Sequence, residues 1–270
     1  MKKKKTVLII LLLLFCGVFV FSGIKLAVEL TQRERDDETF DELASLVLLP
    51  EEFEESSFAP ETSVPQHNVD VSNGNEQSIP DSTLTVIHKR NLQPIIELNG
   101  DCVGWIYIED TPVNYPVMYT PNEPQKYIDK SFDLKSSSYG VPFIEGECTP
   151  NGEHVIIYGH NMKNGSMFAA IKKYRDKDFF ESHPIIEYET LEGCKSYRVL
   201  AMCEINSKDK WYSFMDTDNP IDFDAQFARV LRRAVNKSDF APEQDKQILT
   251  LSTCQGGDKD ARLVLIAIED

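Results

Sequence analysis

Two apolar runs near the C-terminus constrain this chain most: Ile248 to Thr253, which ends on Cys254, and Leu263 to Ile268, which Arg262 opens. Short β-branched and leucine-rich runs bounded by polar loops read as buried strands. Between them lies a Gly-Gly segment with charged residues, Gln255 to Asp260. The sequence therefore delivers one cysteine to a strand end, beside a flexible loop, with an arginine at the start of the next strand. That is a place for nucleophilic chemistry. It is equally a place for a structural thiol, since free cysteines are among the most buried residues. The choice depends on the rest of the chain.

Upstream, the pattern is again short strands. Val103 to Ile108, Val113 to Met118, Tyr139 to Ile144 and His154 to Tyr158 read as strands, with Asn99-Gly100 as a turn. A short helix is expected within 84–98, where Pro94 restarts or interrupts it. Ile185 to Thr190 and Lys195 to Ile205 pair around the turn Glu192-Gly193. Met167, Phe168, Ile171 and Tyr174 have helical spacing. A long insertion from Glu204 to Gln247 carries an amphipathic helix marked by Phe223, Phe227, Val230, Leu231, Ala234 and Val235. Many short strands with few helices between them predict a mainly β domain, a β-barrel decorated by helices.

The first residues set the address. Lys2 to Lys5 precede an apolar run from Val7 to Ile24, about the roughly 17–25 residues a bilayer-crossing helix needs. The lysines place the N-terminus in the cytoplasm and the rest outside. An uncleaved anchor is favoured over a signal peptide cut after Val20 and Ser22, because the run is long for such a peptide. The expected organisation is a basic tail and anchor over 1–25, an acidic helix and disordered stalk over 26–82, and a folded domain over 83–270. Phe40, Leu43, Leu46 and Val47 share one helical face, and Pro50 ends that helix. Residues 50–82, rich in Glu, Ser, Pro and Asn, read as a stalk that holds the domain off the membrane.

The net charge of −16 over 270 residues argues against nucleic-acid binding, which needs a basic footprint. The six cysteines form no C-x-x-C pair, and the five histidines lack helical metal-ligand spacing, so no metal site is expected. Cys102, Cys148, Cys194 and Cys203 are expected reduced and mostly buried, because a domain this size does not need disulfides.

His160 has the same placement as Cys254: it stands just past a buried β-run, in Tyr158-Gly159-His160-Asn161-Met162. A cysteine nucleophile needs a proton partner, and histidine titrates nearest neutrality. Attack on a carbonyl needs a donor for the developing oxyanion, which Arg262 can supply. Cys254, His160 and Arg262 are thus a complete acyl-transfer set.

These residues resemble the sortase family, and within it class B. Thr250 to Cys254 match the TLxTC motif, Arg262 the arginine of the next strand, and Tyr158-Gly159-His160 the histidine motif. Ser166-Met167-Phe168, Lys173-Tyr174, Val103-Gly104-Trp105-Ile106, Tyr115-Pro116-Val117 and the long insertion are similar to class B in particular. The resemblance spans about residues 84–270. It implies a sortase-type barrel of about eight strands, with an N-terminal helix and a long helix before the cysteine strand. It implies Cys254 as nucleophile, His160 as general acid/base and Arg262 as oxyanion or substrate-positioning residue. Ser252 and Thr253 are expected to line the substrate groove, with Ser252 on the face of Cys254. Some class B members have an acidic residue two positions after the cysteine; here it is Gly256. No apolar tail follows Asp270, unlike pilus-building members with a second membrane segment.

The implied activity is transpeptidation without metal or cofactor. A C-terminal sorting signal of a secreted protein, of Asn-Pro type, is cleaved through a thioester, and a peptidoglycan-precursor or pilin amine takes the acyl group. The alternatives are a cysteine protease that uses water, or a silent extracellular adhesion module on the same fold. The implied location is the membrane of a thick-walled, single-membrane organism, with the domain outside.

Overall fold

A computed structural model describes residues 2–48, 89–215 and 217–270. The expected stalk over 50–82 and the start of the expected 84–98 helix lie outside the described residues. Helix α1 runs Lys2–Val47 and α2 runs Gln93–Leu98, with Pro94 in its first turn. The strands are β1 Cys102–Tyr107, β2 Asn114–Met118, β3 Phe143–Ile144, β4 His154–Tyr158, β5 Ile185–Thr190 and β6 Gly193–Asn206. After them come β7 Ala234–Lys237, β8 Ile248–Gly256 and β9 Asp258–Glu269. Two further helices are α3, Lys177–Ser182, and α4, Pro220–Val230.

The strand order is β5-β1-β2-β3-β4-β8-β9-β6-β7, and β5 also pairs with β6. That extra pairing closes eight strands into a barrel and leaves β7 as a ninth on the flank of β6. The β2–β3 and β4–β8 pairs are parallel and the others antiparallel. The expected eight-strand barrel with helices is therefore present.

The barrel explains why β8 and β9 are so continuously apolar. Leu249, Leu251, Leu263, Leu265 and Ala267 pack in one core cluster with Trp105 and Ile106. Their alternate neighbours Ile248, Val264, Ile266 and Ile268 pack in a second cluster with Trp211, Phe214, Phe223 and Phe227. Strand side chains alternate between faces. One set fills the barrel, and the other is covered by the insertion between β6 and β8.

Three elements differ from the sequence reading, each for a local reason. The third strand shrinks to Phe143–Ile144 because Gly140, at φ +62, turns the chain before it. The segment after His160 is a 3₁₀ helix, Phe168–Arg175, rather than an α-helix. Its buried Phe168, Ile171 and Tyr174 recur every three residues, the period that stacks side chains in a 3₁₀ helix. The insertion helix α4 starts at the cap Asn219, whose side chain accepts from Ile221 and Asp222 backbone N–H groups at 3.1 and 3.3 Å. It ends at Val230, and Ala234 and Val235 belong instead to β7, paired with Ala201–Cys203 of β6.

Helix α1 continues past its apolar run and docks on the domain through Phe40, Leu43 and Val47. Leu46, expected on the same face, is 41 % exposed. Beyond the helix, Leu48 bridges Arg90 and Asn91 N–H donates to the Val47 carbonyl at 2.8 Å, so the end of α1 lies beside the first residues of the domain. Arg90 is buried against Glu187 and Glu189.

The insertion is fastened to the barrel by a buried histidine. His154 Nδ1 bonds the Phe214 carbonyl at 2.6 Å and Nε2 bonds Thr250 Oγ1 at 2.8 Å, with Trp211 Nε1 donating to the same hydroxyl at 3.1 Å. A carbonyl only accepts, so Nδ1 carries the hydrogen and Nε2 takes the threonine proton. Burial pushes this histidine down from 6.5 to about 4. The unfolded chain then binds a proton that the fold refuses between those values, so stability falls as pH drops through that window. Between pH 7.5 and 5 this histidine should remove about 2 kcal/mol. Urea unfolding at both pH values, compared with His154→Gln, checks it: the difference between the two proteins should shift with pH by that amount.

Candidate active site

The site is built where β4 and β8 end. The two strands run parallel in register, His154 opposite Ile248 and Tyr158 opposite Ser252. The pairing continues one bond further, Gly159 N–H to the Ser252 carbonyl at 3.1 Å. Thr253 Oγ1 donates to the Gly159 carbonyl at 2.6 Å. The residues just beyond, His160 and Cys254, are therefore held side by side. Strand β9 returns antiparallel and sets Arg262 opposite Cys254. Directly opposed residues carry their Cβ atoms roughly 4.5–5.5 Å apart.

The expected loop from Gln255 to Asp260 is instead a tight hairpin. Strand β8 runs to Gly256 and β9 starts at Asp258. Gly256 and Gly257 have φ of +88 and +82, which glycine adopts without cost. A side chain at Gly256 would be strained there, a local reason for glycine at the position where some class B sequences carry an acid. The hairpin also holds the arginine: Arg262 Nη1 donates to the Lys259 carbonyl at 2.7 Å and the Ala261 carbonyl at 3.1 Å.

One cleft of about 330 Å³ is lined by all five residues singled out from sequence: Cys254, His160, Arg262, Ser252 and Thr253. Cys254 is exposed. His160 Nε2 bonds the Ile128 carbonyl at 2.6 Å. That carbonyl can only accept, so Nε2 bears hydrogen and Nδ1 is the nitrogen of the neutral ring that can take a proton. Ser252 is buried and shares a hydrogen bond of 2.8 Å with the Tyr212 hydroxyl. Thr253 is buried too, and its hydroxyl is used by the Gly159 carbonyl.

Several residues in and beside the cleft were given no role by the sequence reading. Tyr158 and Tyr212 stack at 5.9 Å, and Tyr158 donates to Glu145 at 2.8 Å. Burial, then the Glu145 carboxylate, raise the Tyr158 phenol, so it stays a donor. Burial raises Tyr212 to about 12. Asn161 Nδ2 donates to the Cys254 carbonyl at 2.6 Å. Asn161 did stand in the motif around His160, but nothing in the sequence marked its bond to the cysteine.

The other cysteines are arranged differently. No disulfide forms among the described residues. Cys102, Cys148 and Cys203 are buried and Cys194 is half-buried. Burial pushes all four thiols up to about 12. They stay protonated and weakly nucleophilic, whereas the thiolate is the reactive form.

Comparison with known proteins fits this geometry. Residues 106–269 match the sortase domain family, so the chain belongs to the sortase family. Its relatives include sortase B of Listeria monocytogenes, 28 % identical over 248 residues covering 90 % of this chain and 88 % of that protein. Sortase B of Staphylococcus aureus is 28 % identical over 188 residues, 67 % of this chain and 76 % of that protein. Among solved structures, the S. aureus sortase B–substrate complex aligns with a TM-score of 0.61 at 27 % identity, over 66 % of this chain and 84 % of that one. L. monocytogenes sortase B aligns at 0.58 and 32 % identity, over 66 % and 99 %. Within the family, then, this chain is a sortase B homologue, a cysteine transpeptidase. These relatives come from Gram-positive bacteria, and the apolar helix at the N-terminus suggests membrane anchoring.

Alkylation should separate the cysteines. In the native full-length protein in detergent, iodoacetamide should label Cys254 and spare Cys102, Cys148 and Cys203 until denaturant is added. Mass spectrometry of the digested protein reads the sites.

Proposed function

We propose that Cys254 is the nucleophile, His160 the proton carrier and Arg262 the group that holds the oxyanion or positions the substrate carbonyl. The observation that carries this reading is their convergence on one cleft through the β4–β8–β9 register. The thiol gives its proton to His160 Nδ1 as Sγ bonds to the scissile carbonyl carbon. The carbonyl electrons move to oxygen beside the Arg262 guanidinium. Collapse breaks the C–N bond, His160 returns the proton to the leaving amine, and a thioester remains. An acceptor amine then attacks the thioester, a new C–N bond forms, and the thiol is restored.

The substrate we infer is the C-terminal sorting signal of a secreted protein, of Asn-Pro type, with a cell-wall precursor amine as acceptor. A pilin lysine is the other acceptor of the same chemistry. Ser252 and Thr253, beside the nucleophile, line the groove that takes the signal. The membrane helix fits this assignment because the substrate and a lipid-linked acceptor would meet at the outer face. The lysines before the apolar run support a cytoplasmic N-terminus and an external domain.

The test is a sorting-signal peptide incubated with the enzyme, with and without an added amine. An amine-dependent ligated product is expected, and hydrolysis indifferent to amine would instead mean a protease. Cys254→Ala should leave the fold intact and lower turnover by at least about 10³-fold. Arg262→Ala should cost about 10²–10³-fold in kcat, the size of a lost oxyanion donor. Chromatographic rates with a thermal melt on each variant decide both.

A further inference from the structure

The last part of α1 does more than join the membrane run to the domain. Contact begins at Gln32, whose side-chain amide donates to the Ser136 carbonyl, which also takes a bond from Arg35 at 3.0 Å. One turn later comes Asp36, 1 % exposed although it lies in a block of carboxylates that could all face water. A carboxylate is costly to bury unless it is bonded. Asp36 accepts from the Ser137 hydroxyl and from Arg35.

From there two routes lead to His160. In the first, Ser137 Oγ, donating to Asp36, accepts the Tyr139 and Gly140 backbone N–H groups at 3.0 and 3.2 Å. Gly140 sits against the segment before it: a Cβ there would meet the Tyr127 carbonyl at 2.5 Å and the Ile128 carbonyl at 2.8 Å. Val141 N–H ties down the Tyr127 carbonyl at 3.0 Å. The Ile128 carbonyl, thus placed, is the acceptor for His160 Nε2. In the second route, the Tyr139 hydroxyl donates to Asp37 at 3.4 Å and accepts from Asn164 Nδ2 at 2.6 Å, in the loop that follows His160. Phe40 packs edge-on against Tyr115 with ring centroids 5.0 Å apart, and the Tyr115 hydroxyl accepts the Met167 N–H at 3.0 Å. Met167 pairs with Asn161, and Phe168 N–H donates to the His160 carbonyl at 2.8 Å.

We propose that residues 32–47 of α1 are a working part of the catalytic unit, with Asp36 and Tyr139 as positioning residues that brace His160 from its ring side and its loop side. The inference rests on the assignment of His160 as proton carrier. The same docking sets the height of the cleft. From Ile24 to Gln32 the helix climbs about 12 Å at roughly 1.5 Å per residue. On this reading α1 fixes the distance from the membrane.

The experiment uses the full-length protein in detergent micelles, with Asp36→Ala, Asp36→Asn and Tyr139→Phe, and His160→Ala as the floor. Kinetics with a sorting-signal peptide and an amine are paired with the iodoacetamide rate of Cys254 and a thermal melt. A small misplacement of a reacting group costs up to about 10²-fold. We expect Asp36→Ala and Tyr139→Phe to lose about 5–20-fold in kcat with KM within about twofold. Their Cys254 alkylation rates should move toward the His160→Ala floor. Asp36→Asn, which can still accept from Ser137, should recover most of kcat. If Asp36→Ala does not fold, Tyr139→Phe, which loses only a hydroxyl, decides. A folded Tyr139→Phe with unchanged kcat and alkylation rate overturns the proposal, as does a loss confined to KM. Failure of the transpeptidase reading would look different: no amine-dependent product from any protein, with the alkylation series still informative.

Discussion

The parallel pairing of β4 with β8 is the constraint on which the rest depends. Two parallel strands end at the same edge, so residues 94 apart in sequence, His160 and Cys254, emerge together. Parallel neighbours need a crossover connection. Everything between Gly159 and Gln247 serves as that crossover, and it supplies β5, β6, α4 and the outer layer on its way. The antiparallel return of β9 adds Arg262 opposite the cysteine. A one-residue slip in the β8 register would turn Ser252 and Cys254 toward the barrel interior and leave Leu251 and Thr253 outside. The apolar alternation on both sides of β8 makes such a slip costly, because each face has its own core to fill.

The outer core fixes what the cleft contains. Trp211 and Phe214 hold the insertion against β8 through His154 and Thr250, four residues before Cys254. The neighbouring Tyr212 thereby reaches Ser252 and stacks on Tyr158. Buried polar groups are costly unless they are bonded. Here the bonds run in a line along one face of β8, from Thr250 to Ser252, and leave the exposed Cys254 at its end. The one exposed cysteine of the domain is thus the end of a satisfied polar row, while the four remaining cysteines sit where burial keeps them protonated.

The features legible in sequence were those with periodic or motif signals. The runs at His154–Tyr158 and Ile248–Cys254 announced buried strands, and the residues singled out at their ends, His160 and Cys254, line one cleft. The apolar face of Phe40, Leu43 and Val47 announced a helix beyond the membrane run. Less legible was anything decided by partners distant in the chain. Ala234 and Val235 fit a helical stripe, but the open flank of β6 took them as a strand. Gln255 to Asp260 looked like a loop, yet two glycines at positive φ close it into a hairpin that extends both strands. The acceptor for His160 is the backbone carbonyl of Ile128, and a carbonyl has no letter in the sequence.

Asp36 shows the same limit from the opposite side. In the sequence it is one carboxylate among many between Glu29 and Glu61, where only Arg33 and Arg35 balance them, and charge patterning assigns the whole block to solvent. The helical period sets it apart in retrospect: Phe40, Leu43 and Val47 face the domain, and Asp36 lies four residues before Phe40, one turn earlier on that stripe. A polar residue continuing an apolar stripe is either a misfit or has a specific partner. Ser137, with two backbone N–H groups converging on its hydroxyl, is that partner. The docking face of α1 thus begins with a hydrogen bond and finishes with a hydrophobic contact. The polar end is the one that leads, through Ser137 and Gly140, to the Ile128 carbonyl bonded by His160.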